Sequence, residues 1–334
     1  MFCRDHALFN EIEMGEFELI RNYFAAAPCA QAGEGVALGI GDDCALLTLP
    51  PGEQLAVSTD TLVAGVHFPE VCDPFLLGQR ALAVSASDLA AMGAAPSAFT
   101  LALTLPSVDA GWLQDFARGL NIMAQACSLR LVGGDTTRGP LSLTLTVFGH
   151  VPAGQALTRS AAQVGDLLCV GGDLGEGAGA LALVLNQRTA PAAISGTLLA
   201  RYWSPQPQLA LGQALRGKAT AALDISDGLL ADCGHIALAS GVRLRIERER
   251  LPLSSALLGL LEKDAAQQAA LSGGDDYVLA FTLPSEFLSG LLDAGWPIRV
   301  IGAVEAGQGV VLTDADGQDI TPLTRGYQHF RETR

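Results

Sequence analysis

The stretch LLGQRALAVSASDLAAMG, Leu76 to Gly93, sets apolar and small residues at helical spacing and stops at a glycine, which predicts a helix rich in small side chains. On either side the period changes to alternation. Upstream QLAVST (Gln54 to Thr59) and downstream LSLTLTVFGHV (Leu141 to Val151) read as strands. Between them DAGWLQDFARGLNIMAQACS reads as a second helix, and near the start GEFELIRNYFAA has helical spacing of Phe17, Ile20 and Phe24. Strand-like and helix-like runs in alternation predict a mixed α/β fold. The segment HVPAGQALTRSAAQVGD breaks the pattern with Pro152, two glycines and polar residues, which places a domain boundary near residues 151 to 160. Beyond it DLLCVGG opens a strand, GEGAGALALVLNQ a helix, and ATAALDISDGLLADCGHIALAS a strand, turn and helix.

The chain of 334 residues is long for one domain, so two are expected, each able to bury a full core. Apolar residues make up 49% and charged ones 16%, a compact rather than a disordered composition. Net charge is −15, which argues against a nucleic-acid surface and means that an anionic ligand is repelled unless metal ions or placed arginines intervene. Seven cysteines stand singly with no C-x-x-C pair, so neither a zinc site nor a disulfide framework is indicated, and a reducing cytoplasm suits them. The opening residues do not read as a signal peptide, no apolar run reaches membrane-spanning length, and no membrane partner is expected.

Two phosphate-loop lookalikes fail on context. GQALRGKAT matches G-x-x-x-x-G-K, but Ala219 stands where a hydroxyl is needed, and the residues before it look helical. GGDLGEGAGA is better read as a tight strand-to-helix turn. The aspartates carry more. They sit in GIGDD, STDT, SDLAAMG, GGDTTRG, LDISDG and SGGDDY, from both halves of the chain. Singly, each fits a helix cap or a turn. Together they suit magnesium, a hard ion bound by one or two carboxylates with waters and phosphate oxygens, in a site for a polyphosphate. Two unit charges about 4 Å apart interact by about 4 kcal/mol at an effective dielectric of 20, so a triphosphate needs dications between itself and such acids. Glycines in GGD and SGGDD let backbone approach phosphate, and Arg138 and Arg159 are candidate positive contacts.

The motifs GIGDDCALL, STDTLVAGVHF, ALAVSASDLAAMGA, LTLALTLP, GGDTTRGPLSLTLTVFG, ALTRSAAQVGD, LDISDGLLADCGHI, ALSGGDDY and GYQHF, in this order from about Gly15 to Phe330, resemble the bacterial thiamine-monophosphate kinases, in the superfamily of aminoimidazole-ribonucleotide synthetase. The resemblance implies magnesium-dependent transfer of the ATP γ-phosphoryl group to thiamine monophosphate, several magnesium ions, and a homodimer whose N-terminal α/β sheets pair into a barrel, followed in each chain by a C-terminal α/β domain. It implies an ATP- and magnesium-binding domain over residues 14–150, a C-terminal domain over 151–334, and a peripheral extension over 1–13. By matched motif, Asp43, Ser58, Thr59, Asp60, Asp88, Asp135, Asp224 and Asp227 resemble metal ligands, with Asp43, Asp88, Asp135 and Asp227 expected to carry catalysis. Gly134, Asp135, Arg159 and Ser226 resemble nucleotide contacts, and His67, Asp275 and Tyr327 resemble acceptor contacts. At Asp275 related sequences more often carry glutamate, one methylene longer.

The acceptor is a phosphate monoester, mostly dianionic at neutral pH because its second pKa is about 6, and it needs no strong general base. Direct in-line transfer without a phosphoenzyme is therefore expected. The rival readings are a sister enzyme with another acceptor and a non-catalytic nucleotide or metal sensor. Selenophosphate synthetase would want a reactive cysteine beside a lysine in a glycine-rich N-terminal loop, and the carbamoyl-carrying maturation protein a C-terminal cysteine, whereas this chain ends FRETR.

Overall fold

The computed structural model describes residues 16–31, 33, 35–322 and 326; the expected extension over 1–13 and Tyr327 lie outside the described residues. The described chain starts with a one-turn helix, α1 (Glu16–Leu19), continued by a π-helical segment Ile20–Ala25, and a small antiparallel hairpin of β1 (Val36–Leu38) and β2 (Leu46–Leu47). Next come β3 (Glu53–Val63), α2 (Pro74–Ala91), β4 (Ala95–Leu105), α3 (Ala110–Ala126), β5 (Arg130–Arg138) and β6 (Ser142–Pro152). The four strands form one sheet in the order β3-β6-β4-β5, with only β4 and β5 parallel neighbours, joined through α3.

The alternation in β6 decides which face is covered. Leu143, Leu145 and Val147 are fully buried under the helices, while Thr144 and Thr146 point to the other face. Asp73 caps α2 by accepting from the Phe75 N–H at 2.8 Å, and Pro74 occupies the first helical position. The helix is then buried on nearly every side, which its Ala81, Ala83, Ser85, Ala86 and Ser87 permit by letting neighbours approach closely.

The rest of the chain supplies β7 (Leu167–Val170), α4 (Glu176–Val184), α5 (Ala192–Trp203), α6 (Leu209–Leu215), β8 (Ala221–Asp224), α7 (Leu229–Ser240), β9 (Arg243–Glu247), α8 (Ser255–Leu260), α9 (Lys263–Ser272), β10 (Leu279–Leu283), α10 (Leu288–Asp293), β11 (Arg299–Glu305) and β12 (Gly309–Thr313). Its six-stranded sheet runs β12-β9-β11-β7-β10-β8. Strand β10 is buried on both faces, between Leu229 and Ile236 of α7 on one side and Leu211 and Leu215 of α6 on the other. The largest apolar cluster runs from Leu77 and Leu82 of α2 to Leu198, Tyr202 and Trp203 of α5, where each fully buried leucine contributes about 2 kcal/mol. The core therefore passes without a break from the four-stranded sheet into the helices beside the six-stranded one. Among the described residues no helix is long and apolar enough to cross a membrane. The P-loop lookalike falls on α6 and the turn after it, where Lys218 Nζ donates to the Ala214 carbonyl at 2.7 Å.

Candidate active site

Acids from three elements meet around the last turns of α2. Asp60 shares a face of β3 with Ser58 and the buried Leu62, the face turned toward α2. Ser58 Oγ donates to the Asp88 carboxylate, and Ser87 Oγ donates to Asp224 Oδ2 at 2.6 Å, so consecutive residues of α2 engage β3 and β8. Burial, then the Asp88 charge, pushes the Asp60 pKa up to about 6, with Ser85 opposing by a hydrogen bond. Burial and again Asp88 push Asp224 up to about 7, with a smaller contribution from Asp60. Among the described residues no basic side chain offsets either group. Among the described residues no three acidic, histidine or cysteine side chains lie close enough to hold an ion by themselves. Such a donor set fits magnesium, which takes one or two carboxylates and completes its shell with water and phosphate oxygens, better than an ion needing an all-protein cage.

A second carboxylate fixes the neighbouring turn. Asp232 Oδ2 accepts from the N–H groups of Ser226 at 3.1 Å, Asp227 at 3.0 Å and Gly228 at 3.0 Å. Ser226 is exposed and Asp227 half-buried on this turn, which directly follows β8, and the charges of Asp227 and Asp224 both bear on Asp232. The sequence reading missed Asp232; an acid one turn into a helix that opens at glycine was the available signal. Asp276 plays the same part at the other glycine-rich turn, accepting from Gly175 N at 2.9 Å and Gly177 N at 3.3 Å. The start of α4 is thus filled by an internal carboxylate, consistent with GGDLGEGAGA being a turn.

Burial raises the Asp276 pKa from 3.8 to about 7 despite those two N–H donors. Between these values the native protein keeps a proton that the unfolded chain has released, so stability is greatest at low pH within this window and is lost as pH rises through about 7. Thermal melts from pH 5 to pH 8 should show this decline, and Asp276→Asn should make it shallower, with Asp60, Asp224 and Asp232 supplying the remainder. A slope unchanged in the variant would assign the decline to other groups.

Around His67 and Asp275, the described residues expected to contact the acceptor, the structure adds two side chains that no motif marked. Arg80 of α2 pairs with Asp275 at 2.7 Å and donates to the Tyr202 carbonyl, also at 2.7 Å. Tyr202 Oη donates to the His67 carbonyl at 3.3 Å. His67 Nδ1 accepts from the Val63 N–H at 3.0 Å, which places the proton of the neutral ring on Nε2. Gly274, Asp275 and Tyr277 all have left-handed backbone, with φ of 70°, 65° and 51°. At Gly274 a Cβ would also lie 2.4 Å from the Ser226 carbonyl oxygen, so glycine is required there. The signal for Arg80 was a single cation inside an otherwise apolar helical stretch.

Gly134 and Asp135 do not join the cluster within one chain. Asp60, Leu145, Leu101 and Gly134 lie in register across the sheet, so β3 and β5 are three strand spacings, about 14 Å, apart. Asp135 pairs with the exposed Ala102 and shares the outer face with Thr59, whose Oγ1 bonds Thr146 Oγ1 at 2.9 Å. Ser58 and Asp60 face the opposite way. Gly134 is obligatory, because a Cβ would lie 1.9 Å from the Leu101 carbonyl oxygen. Asp43 is exposed on the loop after β1, and Asp42 turns back to accept the Asp43 N–H at 2.9 Å. Arg159 is exposed next to Thr158, whose carbonyl accepts from Ala222 N in β8 at 2.9 Å, and Arg138 is exposed at the end of β5.

Known proteins match over nearly the whole chain. A family model described as AIR synthase related protein, N-terminal domain, matches residues 41–151, and its C-terminal counterpart matches residues 163–315. The chain is 47% identical over 322 residues to thiamine-monophosphate kinase of Escherichia coli (strain K12), covering 95% of this chain and 98% of that protein. It is 40% identical over 329 residues to the Haemophilus influenzae enzyme of the same name, covering 96% and 99%. Among solved structures, thiamine-monophosphate kinase from Stenotrophomonas maltophilia K279a matches with a TM-score of 0.79 at 46% identity, covering 85% of this chain and 92% of that one. AaThiL complexed with AMPPCP and TMP matches with a TM-score of 0.77 at 31% identity, covering 85% and 89%. Matches of this extent, on a chain whose acids gather where two α/β sheets meet one helix, mean that it belongs to the AIR synthase related proteins and, among them, to the thiamine-monophosphate kinases.

Proposed function

We propose that this chain transfers the γ-phosphoryl group of ATP directly to thiamine monophosphate, giving thiamine diphosphate and ADP, with magnesium held at the acid cluster. The observation that carries the reading is the meeting of Asp60 and Asp224 with Asp88 of α2, with no cation among the described residues to balance them. Bound magnesium would supply charge neutralisation between those acids and the phosphates. Asp60, Asp88, Asp224 and Asp227 hold it, and the Ser58 and Ser87 hydroxyls fix which oxygens of Asp88 and Asp224 remain to bind. Ser226, Gly134, Asp135 and Arg159 contact the nucleotide; His67, Asp275 and Tyr327 contact the acceptor. No residue is required as a base, since the acceptor phosphate is already ionised.

The four-stranded sheet supports a dimer. Its outer face exposes Leu55 at 46% and Val57 at 53%, and within one chain β3 and β5 are both edge strands. Closing two such sheets into a barrel would set β5 of a second copy along β3, with the partner's Asp135 on the same face as Thr59. Asp43, on its exposed loop, completes the metal set in the same reading. The division into residues 14–150 and 151–334, with 1–13 peripheral, and a cytoplasmic location belong to this proposal too.

Purified protein with magnesium and ATP should form thiamine diphosphate from thiamine monophosphate and none from free thiamine. ATP alone should leave no phosphorylated enzyme. Absence of acceptor-dependent ADP formation would leave a nucleotide sensor as the better account.

A further inference from the structure

We infer that Arg80 and Tyr202 are positioning residues that set the spacing between His67 and Asp275 and thereby the fit of the acceptor. The inference rests on the acceptor site proposed above. His67 and Asp275 come from loops 208 positions apart in the sequence, and both are held by this one pair of side chains.

Arg80 is 3% exposed; both of its terminal nitrogens are engaged, while Nε is buried without a hydrogen-bond partner among the described residues. Nη2 donates to both carboxylate oxygens of Asp275, at 2.8 and 2.7 Å, and Nη1 donates to the Tyr202 carbonyl. The guanidinium carbon also sits 3.9 Å from the centre of the Tyr202 ring. Tyr202 cannot move to accommodate change, because it is 1% exposed and packs edge-on against Trp203 at 4.8 Å between ring centres. Its hydroxyl then reaches the His67 carbonyl. The contacts run Asp275, Arg80, Tyr202, His67.

Two features connect this chain of contacts to function rather than to folding alone. Asp275 and Tyr277 adopt left-handed backbone that a non-glycine residue holds only when its surroundings impose it, and Arg80 grips the carboxylate in the middle of that strained segment. The Asp275 side chain remains 26% exposed, so one side of the carboxylate faces outward while the other is fixed. A carboxylate so presented suits the thiazolium cation of the acceptor. Arg80 and Asp88 lie on the same helix, eight residues and about 12 Å apart along its axis, so α2 also sets the distance from the acceptor loops to the acid cluster.

Lysine at position 80 keeps the charge but cannot serve the Tyr202 carbonyl and both Asp275 oxygens while lying flat on the ring. Steady-state kinetics of the full chain, varying ATP and thiamine monophosphate separately, test the inference. Arg80→Lys is expected to raise KM for thiamine monophosphate about tenfold, and Arg80→Met further, with KM for ATP within about twofold of wild type. Tyr202→Phe, which keeps the ring and loses only the hydroxyl, should raise the acceptor KM about fivefold and keeps the test valid if Arg80→Met does not fold. Both KM values rising together, or neither rising while only the melting temperature falls, would overturn the inference and leave the kinase reading in place. A wild-type protein that makes no thiamine diphosphate would remove both.

Discussion

Asp88→Asn is expected to lower turnover by roughly a thousandfold while the protein stays folded and melts no lower than wild type. Asp88 is the neighbouring charge that raises both Asp60 and Asp224. Asparagine has the same shape and keeps an oxygen to accept the Ser58 hydroxyl, so packing is preserved. Removing the charge also removes repulsion that the protein alone does not offset, which should lower the pKa values of Asp60 and Asp224 and leave the metal-free fold as stable or more so. The same change takes away a proposed magnesium ligand at the centre of the cluster. The expected signature is therefore opposite in sign for activity and stability. Kinetics across a magnesium titration, with melting curves in chelator, read both quantities. Turnover within tenfold of wild type at saturating magnesium would show that Asp88 is a structural acid, and the proposed metal site would have to move.

Mixing the poorly active Thr59→Val and the inactive Asp135→Asn proteins should raise activity, to about a quarter of wild type after random subunit exchange. Within one chain Thr59 and Asp135 share the outer face of the sheet but stand three strand spacings, about 14 Å, apart, too far to serve one ion. If β5 of a second copy lies along β3, each site takes Thr59 from one subunit and Asp135 from the other. A mixed dimer then has one site with both substitutions and one with neither. Half of the dimers are mixed, and half of their sites are intact. Subunit exchange confirmed by a tagged partner, with no recovery of turnover, would mean that each site draws both groups from a single chain. The dimer reading would then lose its functional part.

Much of the framework was legible from local pattern. The period of LLGQRALAVSASDLAAMG marks α2, and the alternation of LSLTLTVFGHV marks β6 and even tells which residues face the helices. The strand, turn and helix read in ATAALDISDGLLADCGHIALAS are β8 and α7. The acids were legible as a group but not as individuals. Asp232 and Asp276 look like the others in sequence, yet each turns inward to close a glycine-rich turn. Thr59 and Asp60 are adjacent in STDT, yet the pleat of β3 sends them to opposite faces.

The amino-acid order by itself determined the helices and strands, the buried faces and the supply of hard oxygen ligands, because these follow from spacing and side-chain chemistry within a few residues. Only the tertiary structure decided that Asp60, Asp88 and Asp224 meet, that Asp135 does not meet them within one chain, and that Arg80 grips Asp275. Those are contacts between residues far apart along the chain, fixed by sheet order and by how α2 is buried. Neither leaves a mark in any short window of the sequence.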